Sequence, residues 1–137
     1  MSCWTHIIGS LYVETYTERK NIKKYVEKIL QDAPKVTGSE EDMYVFVNPL
    51  PGYNVSSWKM NKKGDDFETY QTVVCITLAG DLRDRQITQT DEEFKKFMEF
   101  IQQKFEIYYS SVSIYDDVSG EIRNHHTDWL GIKGGRW

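Results

Sequence analysis

The sequence predicts an α+β fold: a ferredoxin-like β-α-β-β-α-β two-layer sandwich with an added C-terminal hairpin strand and tail. Three observations carry that expectation. Two segments show apolar residues at helical spacing, Ile22-Tyr25-Val26-Ile29-Leu30 and Phe94-Phe97-Met98-Ile101-Phe105. Runs of alternating or β-branched residues stand before, between and after them, as strands require. Two helices, each with a single apolar stripe, need one face of a sheet to bury it.

The first strand is read from Trp4 to Tyr16, where Ile7, Gly9, Leu11 and Val13 fall on one face and His6, Ile8, Ser10, Tyr12 and Glu14 on the other. A helix is expected to begin at Thr17 and stop near Ala33, because Pro34 disfavours helical backbone in the residue before it. Val36 to Asp42 is a polar turn, read as a plain loop; the alternative, backbone N–H groups of Thr37-Gly38-Ser39 presented to an anion, is opposed by the acids Glu40, Glu41 and Asp42 that follow. Met43 to Val47 forms the second strand, ended by Pro49 and Pro51. Pro49 to Phe67 reads as one long irregular stretch containing Trp58, Lys59, Lys62 and Lys63; loops of that length are uncommon unless they have a role.

The third strand, Tyr70 to Leu78, is apolar on both faces and is expected at the centre of the sheet. It runs into a knot of charge, Gly80-Asp81-Leu82-Arg83-Asp84-Arg85. Thr90-Asp91-Glu92-Glu93 has the pattern of a capping box, which places the second helix's start there. The fourth strand spans Ile107 to Tyr115. Asp116 to Gly120 is a turn, and Glu121 to His126 pairs back as a short hairpin strand. One domain over 1–137 is expected, with a core of about 4–126 and a tail of 127–137. The sheet face away from the helices is left free for a ligand, a partner or a second subunit.

At 137 residues the chain can bury a core without disulfide or metal staples. Its net charge of −4 argues against direct nucleic-acid binding, which calls for a basic surface. Cys3 and Cys75 have neither zinc nor redox spacing and are expected to be reduced, with Cys75 buried in its strand. No apolar run is long enough for a membrane helix, and the N-terminus lacks the pattern of a signal peptide. No phosphate loop, dinucleotide fingerprint or nucleophile motif is present, and no metal or cofactor is expected.

Three sets of residues could form a site. Asp81, Arg83 and Arg85 stand at the end of the central strand, where paired guanidiniums could clamp a phosphate or carboxylate. His125 and His126 alternate faces, so only one of them can serve a given site. Trp58, Trp129 and Trp137, each near a cation such as Arg136, offer stacking beside charge, as a nucleotide site does. Self-paired Asp–Arg networks and tryptophans that anchor loops are the structural alternatives.

The words Val36-Thr37-Gly38-Ser39-Glu40, Val45-Phe46-Val47-Asn48 and Gly80-Asp81-Leu82-Arg83-Asp84-Arg85 followed by Thr90-Asp91-Glu92-Glu93-Phe94 resemble small accessory proteins of tailed bacteriophages and prophages of Gram-positive bacteria. That resemblance covers Trp4 to about Tyr115. It implies a viral accessory origin and a place in the host-cell cytoplasm, and it carries no catalytic residue. The expectation is a non-enzymatic binding protein, active in counter-defence. It would sequester a nucleotide-type signal or occupy a host immune protein, using Arg83, Arg85, Asp81, Trp58, Trp129, His125 and Arg136. The alternatives are a small phosphoesterase or nuclease using a histidine and Arg83, and a virion or assembly component that self-associates.

Overall fold

A computed structural model describes residues 3–17, 21–50, 55–60 and 66–130, except for the side chains of 16–17, 55–60, 66–72 and 128–130. The elements are β1 (Trp4–Thr17), α1 (Ile22–Leu30), β2 (Tyr44–Pro49), β3 (Val55–Met60), β4 (Asp66–Arg83), α2 (Ile87–Lys104), β5 (Glu106–Asp116) and β6 (Ile122–Leu130). The strands form one six-stranded sheet in the order β2-β4-β1-β5-β6, with β3 also on β4. Every pairing is antiparallel.

This corrects the expected β-α-β-β-α-β ferredoxin-like sandwich. Among the described residues the order is β-α-β-β-β-α-β-β, mostly a wide antiparallel sheet with two helices. The difference arises at β4, which spans 18 residues. Its first half pairs with β3 and its second half with β2. The stretch read as an irregular loop therefore contains a strand, whose pairing is supplied by β4 more than by any apolar pattern of its own. Pro49 ends β2 from within, which an edge strand tolerates because the missing N–H faces no neighbour. β6 extends to Leu130, so part of the expected tail belongs to the sheet.

Alternation sets the core. Ile7, Leu11 and Val13 of β1, Val74, Ile76, Leu78 and Leu82 of β4, and Ile107, Val112 and Ile114 of β5 join Val26 of α1 and Phe94, Phe97 and Ile101 of α2 in one buried cluster. Gly9 is forced at the centre. It pairs with Leu78 and Val112, and a Cβ there would stand 2.3 Å from the Ser111 carbonyl oxygen. A bulge between Tyr12 and Val13 shifts the register with β5.

The helix starts differ from expectation. Asn21 caps α1, its side chain accepting from the Lys24 N–H. α2 begins at Ile87 without a side-chain cap, so Thr90-Glu93 is no capping box. Thr90 and Asp91 are instead buried inside the helix. Glu93 accepts from the Thr37 N–H at 2.7 Å and from its hydroxyl at 2.8 Å. The anion at the Thr37-Gly38-Ser39 turn is thus the protein's own glutamate. Between β4 and α2 the chain reverses through Asp84, a non-glycine residue at φ 58°, a left-handed conformation that aspartate tolerates better than most residues.

Candidate functional site

Charged residues at the end of β4 are engaged within the protein. Asp81 and Arg83 are two residues apart on a strand, so they share a face; there Asp81 pairs with His6 and Arg83 with Trp4 in register. His6 Nδ1 lies 2.6 Å from Asp81 Oδ1 and its Nε2 lies 2.9 Å from Asp117 Oδ2. Burial pulls the imidazole pKa down, but hydrogen bonds and charge from Asp117 and Asp81 outweigh it and raise the pKa above the ordinary histidine value. Arg83 forms an ion pair with Glu40, and its guanidinium sits 6.0 Å from the Trp4 ring centre. Arg85 donates to the Thr37 hydroxyl at 3.2 Å and to the Asp84 carbonyl at 3.1 Å. Arg83 and Arg85 thus tie the end of β4 and the residues after it to the Thr37–Asp42 turn, and Asp81 ties β4 to His6 of β1.

The two histidines of β6 do lie on opposite faces. His125 faces α2, where Nε2 bonds Asp91 Oδ1 at 2.5 Å. Asp91 Oδ2 accepts from Arg123 and Lys95, each at 3.2 Å. Asp91 is 4% exposed. Burial raises its pKa, yet the bonds from His125, Lys95 and Arg123 prevail and hold it below the usual carboxylate value. His126 faces the other way, with its ring edge-on to Tyr109 at 5.3 Å. Sequence reading selected His125 but missed Asp91 and Arg123, because the α2–β6 contact that joins them depends on the tertiary fold. Trp58, Trp129 and Arg136 were also expected at a site; their side chains lie outside the described residues.

The face of the sheet away from the helices was expected to be free for a ligand, a partner or a second subunit. Register places its residues in rows across the strands. One row is Asp81, His6, Tyr115 and Ile122; the next is Tyr44, Ala79, Ile8, Ser113 and Asn124; the third is Phe46, Thr77, Ser10, Ser111 and His126. Ile8, Tyr44, Phe46, Tyr115 and Ile122 are all exposed and all share this face. Cys75, expected to be buried, is half-exposed here beside Thr77. Small hydroxyl side chains form the middle of the third row, while aromatic and aliphatic groups stand around it. Single exposed apolar residues are ordinary, but their concentration on one face is the usual mark of an interaction surface.

Among the described residues, no set of three or more histidine, cysteine, aspartate or glutamate side chains is arranged to hold a metal, and no helix is long and apolar enough to cross a membrane. Comparison with protein-family models, curated proteins and solved structures gave no match.

Proposed function

We infer that this chain is a non-enzymatic binding protein that docks a protein partner on the open face of its sheet. The observation that carries the reading is the gathering of Ile8, Tyr44, Phe46, Tyr115 and Ile122 on that face. Five strands at their usual spacing, over the 9-residue length of β6, give a surface of about 24 Å by about 30 Å. That is roughly 700 Å², close to the ~800 Å² each partner contributes to a standard interface. Its make-up is mixed: exposed aromatic and aliphatic groups on β2, β1, β5 and β6 flank a band of small hydroxyl side chains, with Asn48, Asn124, His6 and Arg83 among them, and a non-obligate interface is only about as apolar as the rest of a protein surface. The phage resemblance makes the partner a host protein, with a component of host immunity as the class to test first, and the host cytoplasm as the place.

The nucleotide-sequestering version has less behind it, since Arg83 and Arg85 are already engaged by Glu40, Asp84 and Thr37. Nor does the geometry favour hydrolysis. His125 lies on the opposite face from Arg83. His126 shares Arg83's face but is six residues and three strands away, roughly 25 Å at usual strand spacings, whereas acid–base catalysis needs groups within ~3 Å of the reacting atoms.

The test is capture from a Gram-positive host lysate by wild type, by Ile8→Lys and Phe46→Lys, and by Gln103→Lys on the outer side of α2, with gel filtration of each. A defined protein retained by wild type and Gln103→Lys but lost with both face variants supports the reading. Identical capture by all four baits overturns it. A wild-type dimer that becomes monomeric in the face variants would show that a second copy occupies the face instead.

A further inference from the structure

We propose that the protein partner of the open face presents a basic rim: lysine or arginine side chains that flank its apolar contact and pair with Asp81 and Asp117. The proposal rests on the docking reading and adds the partner's charge.

Strand parity assigns side chains to faces. On the outer face, or beside it, stand the acids Glu14 of β1, Asp81 of β4, Asp117 just after β5, and Glu41, whose carboxylate bonds the Tyr44 hydroxyl. Arg83 is the one lysine or arginine there among the described side chains, and Glu40 already pairs with it. His6 lies between Asp81 and Asp117, 2.6 Å from one carboxylate and 2.9 Å from the other. It cannot cancel them, because an imidazole brings at most one positive charge against two negative ones. The cluster therefore stays negative in either protonation state of His6.

His6 also holds each carboxylate by one oxygen. The side chains of Asp81 and Asp117 remain 72% and 44% exposed. A carboxylate has about four lone-pair sites, so each keeps capacity for a partner's cation. Apolar groups border this acid directly. Tyr115 stacks on His6 with ring centres 5.9 Å apart, Ile122 pairs with Tyr115, and Ile8 is the next residue of β1 on the same face. A lysine or arginine can lay its apolar stem over Ile8 or Tyr115 while its charged head reaches Asp81 or Asp117. Such rim pairs steer the encounter and reject wrong partners more than they add affinity. An acidic partner surface meets repulsion at the same rim.

The experiment is an NMR titration of the full chain with two capped synthetic peptides, one alternating lysine with valine and the other glutamate with valine. The lysine peptide should shift the Ile8, Tyr115 and Ile122 signals saturably, less so at high salt, and the glutamate peptide should not. Replacing both Asp81→Asn and Asp117→Asn should weaken lysine-peptide binding about tenfold, roughly threefold for each exposed pair lost. A second readout is His6 itself. The charged or titratable groups facing it are Asp81 and Arg83 from β4, Tyr115 from β5 and Asp117 after it, and the two aspartates are those at its ring nitrogens. Bound lysine peptide should lower the His6 titration midpoint, because another cation then shares those aspartates. Equal shifts with both peptides, no outer-face shift with either, lysine-peptide shifts confined to the helices, or unchanged binding in the double variant would overturn the proposal. So would outer-face signals that move with protein concentration alone, the mark of a second copy on the face. If Ile8→Lys still loses the captured host protein while the peptides show no charge preference, the docking surface stands and the basic rim falls.

Discussion

Ile7 and Ile8 are the same residue at adjacent positions on one strand, with opposite surroundings. Ile7 is 1% exposed and Ile8 is 66% exposed. Truncating a buried isoleucine to alanine costs ~2–5 kcal/mol, part from lost transfer and part from the cavity left behind. Ile7 sits within the main cluster, so about 3 kcal/mol is expected. For a chain of this size that is a fall of about 10 °C in melting temperature. Ile8 keeps only about a third of its side chain in contact, and full burial is worth ~2–3 kcal/mol, so Ile8→Ala should cost about 1 kcal/mol or less. In the complex the order reverses. A central docking residue is worth at least ~1–2 kcal/mol on truncation, or roughly tenfold in affinity. The assay is a urea or thermal melt of the two variants side by side, followed by binding to the captured partner. Equal destabilisation by the two substitutions would mean that the outer face is covered within the folded chain, and the docking argument would fail. A negligible effect of Ile7→Ala would mean that the inner face is not the core.

Other predictions bear on the elements that set these faces. Gly9→Ala drives a Cβ into the backbone of Ser111 and Val112 and should cost at least ~1–3 kcal/mol, visible in a melt and in faster amide exchange along β1 and β5. Asp91→Asn removes the charge that holds His125, Arg123 and Lys95, and should cost about 2 kcal/mol by denaturant titration; wild-type stability would refute that role. Since Asp91's pKa is lowered on folding, its contribution is present above the unfolded carboxylate range and fades as pH falls through the folded value. For His6 the sign is opposite. Its raised pKa gives stability that is complete below ~6.5 and lost as pH rises through the folded value. NMR titration should place the His6 midpoint above that of a free histidine, and His6→Gln should abolish the loss of stability in that window.

Much of the local structure was legible because it rests on periodicity. The stripe Phe94-Phe97-Ile101 and the alternation Ile7-Leu11-Val13 each declare a face, and both faces are in the core. The turn at Asp116 was equally plain, since its side chain bonds the Val118 N–H and the Ser119 hydroxyl, and Gly120 takes positive φ. What failed depended on partners distant in sequence. β3 exists through pairing with β4, so the composition of Val55–Met60 alone could not reveal it. The Thr90–Glu93 pattern matched a capping box, but Glu93 finds the Thr37 turn and Asp91 finds β6, and each of those contacts outweighs local capping. The Asp81–Arg85 knot was recognised with a ligand clamp and a self-paired network both open, and its partners Glu40, Thr37 and His6 come from other elements, so local sequence could not name them. The outer face of the sheet was visible as one side of β1, but the strands that complete it came from register: Tyr44 and Phe46 reach it from β2, and Tyr115 from β5.

The most direct test of the docking surface is site-specific photo-crosslinking inside a Gram-positive host cell. A photoreactive phenylalanine analogue would replace Phe46, which it closely resembles, and in a control chain would replace Gln103, exposed on α2. The account predicts a discrete adduct of one host protein at position 46 and none at 103. An adduct at 103 but not at 46, or no adduct at 46 while the chain is folded and expressed, would contradict it.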